Sequence, residues 1–184
     1  MSLSTRDLVL MGLFAAVMAA LGLLPKFTLP LGVPITAQSM GCMLAGAILG
    51  ARRGFGAMVI FVLLVALGLP LLAGGRGGLG IFAGPTGGFL IGFPFAAMAT
   101  GWLVARFGHP TSVFWSIVSC VLGGIIVLYA FGIPYWVAIT DSSLSAVLAS
   151  TVYFLPGGAI KALVAGLVSA TVHRGYPALV SSTR

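Results

Sequence analysis

Apolar positions along the chain gather into long stretches instead of alternating with polar ones, and the breaks between them are short. The stretches run approximately over Leu8–Leu24, Ile35–Gly50, Phe55–Leu72, Gly88–Arg106 and Val113–Phe131, and a last one covers Leu144–Val172 with an interruption at Pro156-Gly157-Gly158. Crossing roughly 30 Å of hydrocarbon takes about 20 predominantly apolar helical residues. The first five stretches approach that length and predict membrane spans. In the last one, Pro156 lacks an N–H and suits a first helical turn, so it ends one helix and opens another. Leu144–Leu155 then makes only about 18 Å of helix, too short to span. The pattern predicts a short re-entrant or interfacial helix there, followed by a sixth span over about Gly157–His173.

The cations support six spans. Positive residues near span ends gather on the cytoplasmic side. With a cytoplasmic N-terminus, Arg6, Arg52, Arg53, Arg106, Arg174 and Arg184 lie inside, and Lys26 and Arg76 outside. A seventh span over 144–155 would move Arg174 and Arg184 outside and erase the asymmetry. The expected fold is therefore an all-α integral membrane protein, a single transmembrane domain over residues 1–184. It has six transmembrane helices (8–24, 35–50, 55–72, 88–106, 113–131, 157–173) with both termini cytoplasmic.

Composition agrees: 60% of the 184 residues are hydrophobic and 6% charged, with a mean hydropathy of +1.20, where soluble domains carry about 25% charged residues. No room is left for a soluble catalytic domain. The net charge of +7 does not point to nucleic acid, because the cations are scattered and lack aromatic interleaving. Cys42 and Cys120 sit in apolar segments and suggest neither a disulfide framework nor a metal site. The first apolar segment lacks a small-residue cleavage site and should stay in the mature protein.

Topology leaves Lys26, Arg76 and Lys161 to be explained. Lys26, after Pro25, reads as a snorkelling interfacial lysine or as a ligand. Lys161 lies within the predicted first turn of the sixth span, beside unpaired backbone N–H groups, an arrangement that attracts anions. A lysine at membrane depth needs a wet cavity or a partner, although snorkelling to the headgroups would also serve. Arg76 lies in Gly74-Gly75-Arg76-Gly77-Gly78-Leu79-Gly80. The match of residues 75–80 to a dinucleotide fingerprint fails, because no strand–helix unit surrounds it and no acidic ribose ligand follows. The glycines instead permit positive φ and close backbone approach, so the loop reads either as a fold over a ligand whose carboxylate Arg76 grips or as a flexible surface loop.

The segment Pro25–Gln38, with prolines at 25, 30 and 34, suits a lid. Gln38 can read an amide or urea-like group or simply bond a neighbouring helix. Asp141 precedes the short helix and reads as a solvated acid or a polar contact. Ala15, Ala16, Ala19 and Ala20 form overlapping small-xxx-small pairs on the first span, as do Gly46 with Gly50 and Gly84 with Gly88. Such faces permit close helix contact within the bundle or with a partner. There is no nucleotide-binding P-loop, acid pair within one span or His/Cys cluster, and His109 and His173 fall near predicted cytoplasmic ends. Nothing reads as an enzyme.

Val33-Pro34-Ile35-Thr36-Ala37-Gln38, Met43-Leu44-Ala45-Gly46, Leu69-Pro70 with Ala73-Gly74-Gly75-Arg76-Gly77-Gly78, Gly84-Pro85-Thr86-Gly87-Gly88, and Phe154-Leu155-Pro156-Gly157 with Lys161 together resemble the BioY family. These are biotin-specific substrate-binding subunits of energy-coupling-factor transporters, and the resemblance covers nearly the whole chain. It implies a six-helix subunit of the bacterial cytoplasmic (inner) membrane that needs no cofactor. Its ligand, biotin, would be held tightly on the outer side beneath loops. It also implies docking, through the small-residue face of the first helix, onto a transmembrane coupling subunit driven by ABC-type ATPases. Homo-oligomers are a further option.

The family motif reads Pro-Gly-Asp-x-x-Lys. Lys161 matches it, and Gly158 stands where the acid is expected, leaving Gln38, Thr86, Asp141 or a backbone carbonyl as substitutes. Biotin's apolar parts have Phe27, Trp136 or Phe154 to pack on, unless these are interfacial belt residues. Two further readings stay open: a subunit for another carboxylated vitamin, and a non-transport membrane scaffold.

Overall fold

A computed structural model of the chain describes residues 4–28, 33–107 and 111–176. Pro30, His109, Arg184 and the side chain of Phe27 lie outside them. Helix α1 (Thr5–Leu21) opens with a capping box in which Ser4 and Asp7 satisfy each other's backbone N–H groups, saturating donors that a helix start leaves unpaired. A two-residue antiparallel ladder, β1 (Phe27–Thr28) with β2 (Pro34–Ile35), closes the segment between α1 and α2. With an isolated bridge between Leu72 and Arg76, it departs from the all-α expectation.

Helices α2 (Gln38–Leu49) and α3 (Ala51–Ala66) follow. The four-residue break expected between them is a single residue, Gly50, with φ 83°. A 3-10 turn (Leu79–Ala83) leads to α4 (Gly87–Phe107). The fifth helix, α5, spans Val113–Thr140 and runs nine residues past its expected end at Phe131 (140 less 131). Pro134 lies inside it without ending it, since a membrane bundle tolerates proline in mid-helix. A π-helical stretch over Leu122–Val127 falls midway along α5. Asp141, with φ 49°, stops the helix in a left-handed residue.

The short helix appears as α6 (Leu144–Val152), with Ser143 accepting from the Ala146 N–H. Then α7 (Leu155–Gly175) begins two residues before the expected start, with Pro156 in its first turn. Helices α4, α5 and α7 are each long and apolar enough to cross a membrane.

Helix α4 is the hub, packed against α2, α3 and α5, while α7 packs on α5 and α2, and α1 lies against α3 and α2. Small residues set the closest approach. A Cβ on Gly46 would overlap the Ala97 backbone, and one on Gly101 would overlap the Gly50–Ala51 backbone, so α2, α3 and α4 meet main chain to main chain. The core between them holds Met43, Met58, Phe61 and Cys42, all at most 1% exposed. Away from the apolar interior, Arg53 Nε reaches Asp7 Oδ1 at 2.5 Å and ties the starts of α1 and α3. His173 is buried, with Nε2 2.8 Å from the Ala47 carbonyl, so it joins α7 to α2 as a structural residue.

Candidate substrate-binding site

Between the 33–38 and 72–86 segments and helices α2, α4, α5 and α7 lies a cavity of about 770 Å³, its open mouth included. Its apolar walls come from Phe89, Leu90 and Phe93 of α4, Ile125 and Leu128 of α5, and Phe154 ahead of α7. Its polar lining comprises Thr36, Gln38, Ser39, Arg76, Thr86, Tyr129 and Lys161. Two of these are cations and none is an acid. In an apolar enclosure such a field favours an anionic or electron-rich ligand.

The glycine loop is a folded structure. Leu72 and Arg76 bond to each other through both backbone pairs, at 3.0 and 3.2 Å, and the turn between them needs Gly74 at φ 82° and Gly75 at φ 70°. Side chains rarely adopt that conformation, whereas glycine adopts it freely. The Ala73 carbonyl accepts from Lys26 Nζ at 3.3 Å and from Arg76 Nε at 3.4 Å. Lys26 thus fastens the α1–α2 segment to this loop, a contact that a purely snorkelling lysine would not make.

Gln38 is 2% exposed. Its amide donates to the Leu71 carbonyl at 3.0 Å and the Met18 carbonyl at 3.4 Å, and accepts from the Ala73 N–H at 3.1 Å. It lines the cavity while its amide ties α2 to α1 and to the loop that carries Arg76.

Lys161 projects into the cavity and donates to Ser39 Oγ at 3.0 Å. Because α7 starts at Leu155, Lys161 stands in its second turn and not beside the unpaired N–H groups of the first. Its partner is a hydroxyl of α2.

The cavity therefore brings together Arg76, Lys161, Gln38 and Thr86. Trp136 is fully buried behind Phe154, their rings 6.4 Å apart and edge to face, in a separate cluster with Val33 and Val147. Asp141 is exposed at the end of α5, outside the lining. Of the four alanines on α1, Ala15 is 3% exposed and faces the core, Ala19 is half-buried, and Ala16 and Ala20 are exposed in line with Gly12. The residues missed beforehand are Ser39 and Tyr129, single hydroxyls in apolar stretches. A polar group within an apolar span was the available signal.

A helical membrane bundle with a largely apolar cavity that presents cations in its walls has the form of a solute-binding membrane protein. The chain belongs to the BioY family, whose signature matches residues 1–178. It is 52% identical to a biotin transporter BioY of Rhizobium etli, over 96% of this chain and 98% of that one. It is 47% identical to a biotin transporter BioY of Rhodobacter capsulatus, over 94% and 95%. A crystal structure of the S-component for biotin from an ECF-type ABC transporter superposes with a TM-score of 0.87 at 29% identity, covering 94% of this chain and 95% of that one.

Proposed function

We propose that the protein is the biotin-binding specificity subunit of an energy-coupling-factor uptake transporter in the bacterial cytoplasmic membrane. One observation carries the reading: the same cavity holds Arg76 and Lys161 among mostly apolar side chains and a few uncharged polar ones, and biotin combines a carboxylate, an electron-rich ureido oxygen and an apolar bicycle with its chain. Family membership supplies the ligand's identity.

Arg76 binds the carboxylate, since its planar fork suits two parallel N–H···O bonds. Lys161 faces the ureido oxygen. Phe89, Phe93, Ile125, Leu128 and Phe154 cover the apolar middle, and Thr86 supplies a hydroxyl along the wall. Val33, Ile35 and Thr36 lie over the ligand, and Lys26 ties the chain after α1 to the glycine loop.

Helices α1 to α5 and α7 serve as six spans with both termini cytoplasmic, which puts the cavity mouth outside. The exposed row Gly12, Ala16 and Ala20 on α1 offers a transmembrane coupling subunit a close-packing face, and ATP is hydrolysed on partner ATPases.

Isothermal titration of the detergent-purified chain tests the reading. Biotin should bind with a Kd on the order of nanomolar, and Lys161→Ala should abolish that tight binding while the protein stays folded. Binding of a different carboxylated vitamin in place of biotin would reassign the ligand, and binding of no vitamin would leave a membrane scaffold.

A further inference from the structure

The polar lining has a feature that two cations and one anionic ligand leave unused. Tyr129 is half-buried, lines the cavity, and its hydroxyl has no hydrogen-bond partner among the described residues. Tyrosine within an apolar helix normally satisfies that group. Ser39 Oγ accepts from Lys161 Nζ, which leaves its own O–H free to donate. Gly158, three residues before Lys161 on α7, faces Tyr129. A Cβ placed on it would stand 3.8 Å from the Tyr129 hydroxyl and 3.2 Å from the terminal methyl of Ile125. A side chain there would enter the space that Tyr129 faces. No acid lines the cavity.

We infer that Ser39 and Tyr129, set beside Lys161 by the absent side chain at Gly158, form a charge-neutral reader for the ligand's urea-like head group and determine specificity against cationic analogues. The inference rests on the biotin reading and deepens it. The ureido oxygen accepts from Lys161 Nζ and from the Ser39 hydroxyl, while a ureido N–H donates to the Tyr129 oxygen. None of these bonds requires a carboxylate. The corollary is selectivity: a head group carrying positive charge would meet the Lys161 ammonium with no compensating anion in the lining, and a buried unpaired charge is strongly disfavoured.

2-Iminobiotin, a guanidinium in place of the urea and cationic near neutral pH, is the probe. Its Kd and that of biotin are measured by titration calorimetry on the purified full chain and on Ser39→Ala, Ser39→Thr, Tyr129→Phe and Gly158→Asp, with the melting of each ligand-free protein as a folding control. Wild-type protein should prefer biotin to 2-iminobiotin by at least about a hundredfold, two to three kcal/mol of discrimination. Ser39→Ala and Tyr129→Phe should each weaken biotin about tenfold, Ser39→Thr should restore it, and Gly158→Asp should narrow the preference by strengthening 2-iminobiotin.

Equal affinity of wild-type protein for the two ligands overturns the inference without any variant. So do hydroxyl variants that melt like wild type and keep wild-type biotin affinity, and in both cases the biotin assignment stands. If wild-type protein binds no biotin, the assignment falls and the inference with it.

Discussion

Two walls of the cavity each present a cation, and they hold it by different means. On the loop wall, Arg76 is carried by a turn whose shape depends on glycines at positive φ and on backbone bonds to Leu72, with Gln38 and Lys26 fastening it from α2 and from the α1–α2 segment. On the helical wall, Lys161 projects from the second turn of α7 and meets a single hydroxyl of α2, an element packed main chain to main chain on α4. The loop wall is adjustable, because its hold consists of hydrogen bonds near the mouth. The helical wall is fixed by packing, and its cation bonds a side chain of a packed helix. Binding energy should therefore concentrate on the helical wall, and capture and release on the loop wall.

The largest test of this contrast is Lys161→Ala. Deleting a charge-assisted bond costs about 3 kcal/mol, so biotin Kd should rise by about two orders of magnitude, with dissociation faster and association little changed. Arg76→Ala comes next. Water reaches the mouth and Lys26 remains nearby, so a loss nearer tenfold is expected, together with slower association. Equal effects of the two substitutions, measured by stopped-flow binding, would erase the distinction.

Gln38→Leu removes the bonds to Leu71, Ala73 and Met18 while filling similar space. Each lost bond within the bundle is worth about 1 kcal/mol, and two backbone carbonyls and one N–H lose a partner. The melting temperature in detergent should drop, and the Arg76 contribution to binding should shrink in a double-mutant cycle.

The smallest effect lies far from the cavity. The Asp7 carboxyl, just ahead of the apolar stretch of α1, is held below the usual carboxylate range by the Ser4 backbone N–H, then by the Ser4 hydroxyl, with Arg53 adding to this. A carboxyl with a depressed native pKa stabilises the fold above its unfolded-state pKa, and the contribution disappears as pH falls through the native value. Wild-type melting should decline slightly below about pH 4, and Asp7→Asn should flatten that part of the profile without touching biotin binding.

How much of this was legible follows the same division. The membrane bundle, the isolated short helix and the unusual cations Arg76 and Lys161 are written in hydropathy and charge, because lipid leaves few places for a cation. What each polar group bonds to is not. Gln38 bonds main-chain atoms whose positions depend on the path of the glycine turn, and Trp136 and Phe154 differ only in which of two touching rings faces the cavity. The fifth span is expected to end at Phe131, yet the helix continues past it and through Pro134 to Thr140, since a membrane bundle tolerates proline in mid-helix. Ser39 and Tyr129 leave no periodic trace, since scattered hydroxyls are ordinary in apolar helices of a membrane protein, and only the contacts of Ser39 with Lys161 and of Tyr129 with Gly158 single them out.

Gly50, the one-residue joint between α2 and α3, has a consequence for the surrounding lipid. It holds α2 to 12 residues and α3 to 16, about 18 and 24 Å of helix, whereas the 21 residues of α4 and the 28 of Val113–Thr140 reach about 32 and 42 Å. With α2 and α3 crossing as proposed, segments of such unequal length do not match a bilayer of uniform thickness. Either the membrane thins beside α2 and α3 or the whole bundle leans, and both responses cost elastic energy that rises with every ångström of mismatch. The thickness of the host bilayer thereby becomes a variable acting on this protein, one that detergent removes and that reconstitution into lipids of graded acyl-chain length would restore.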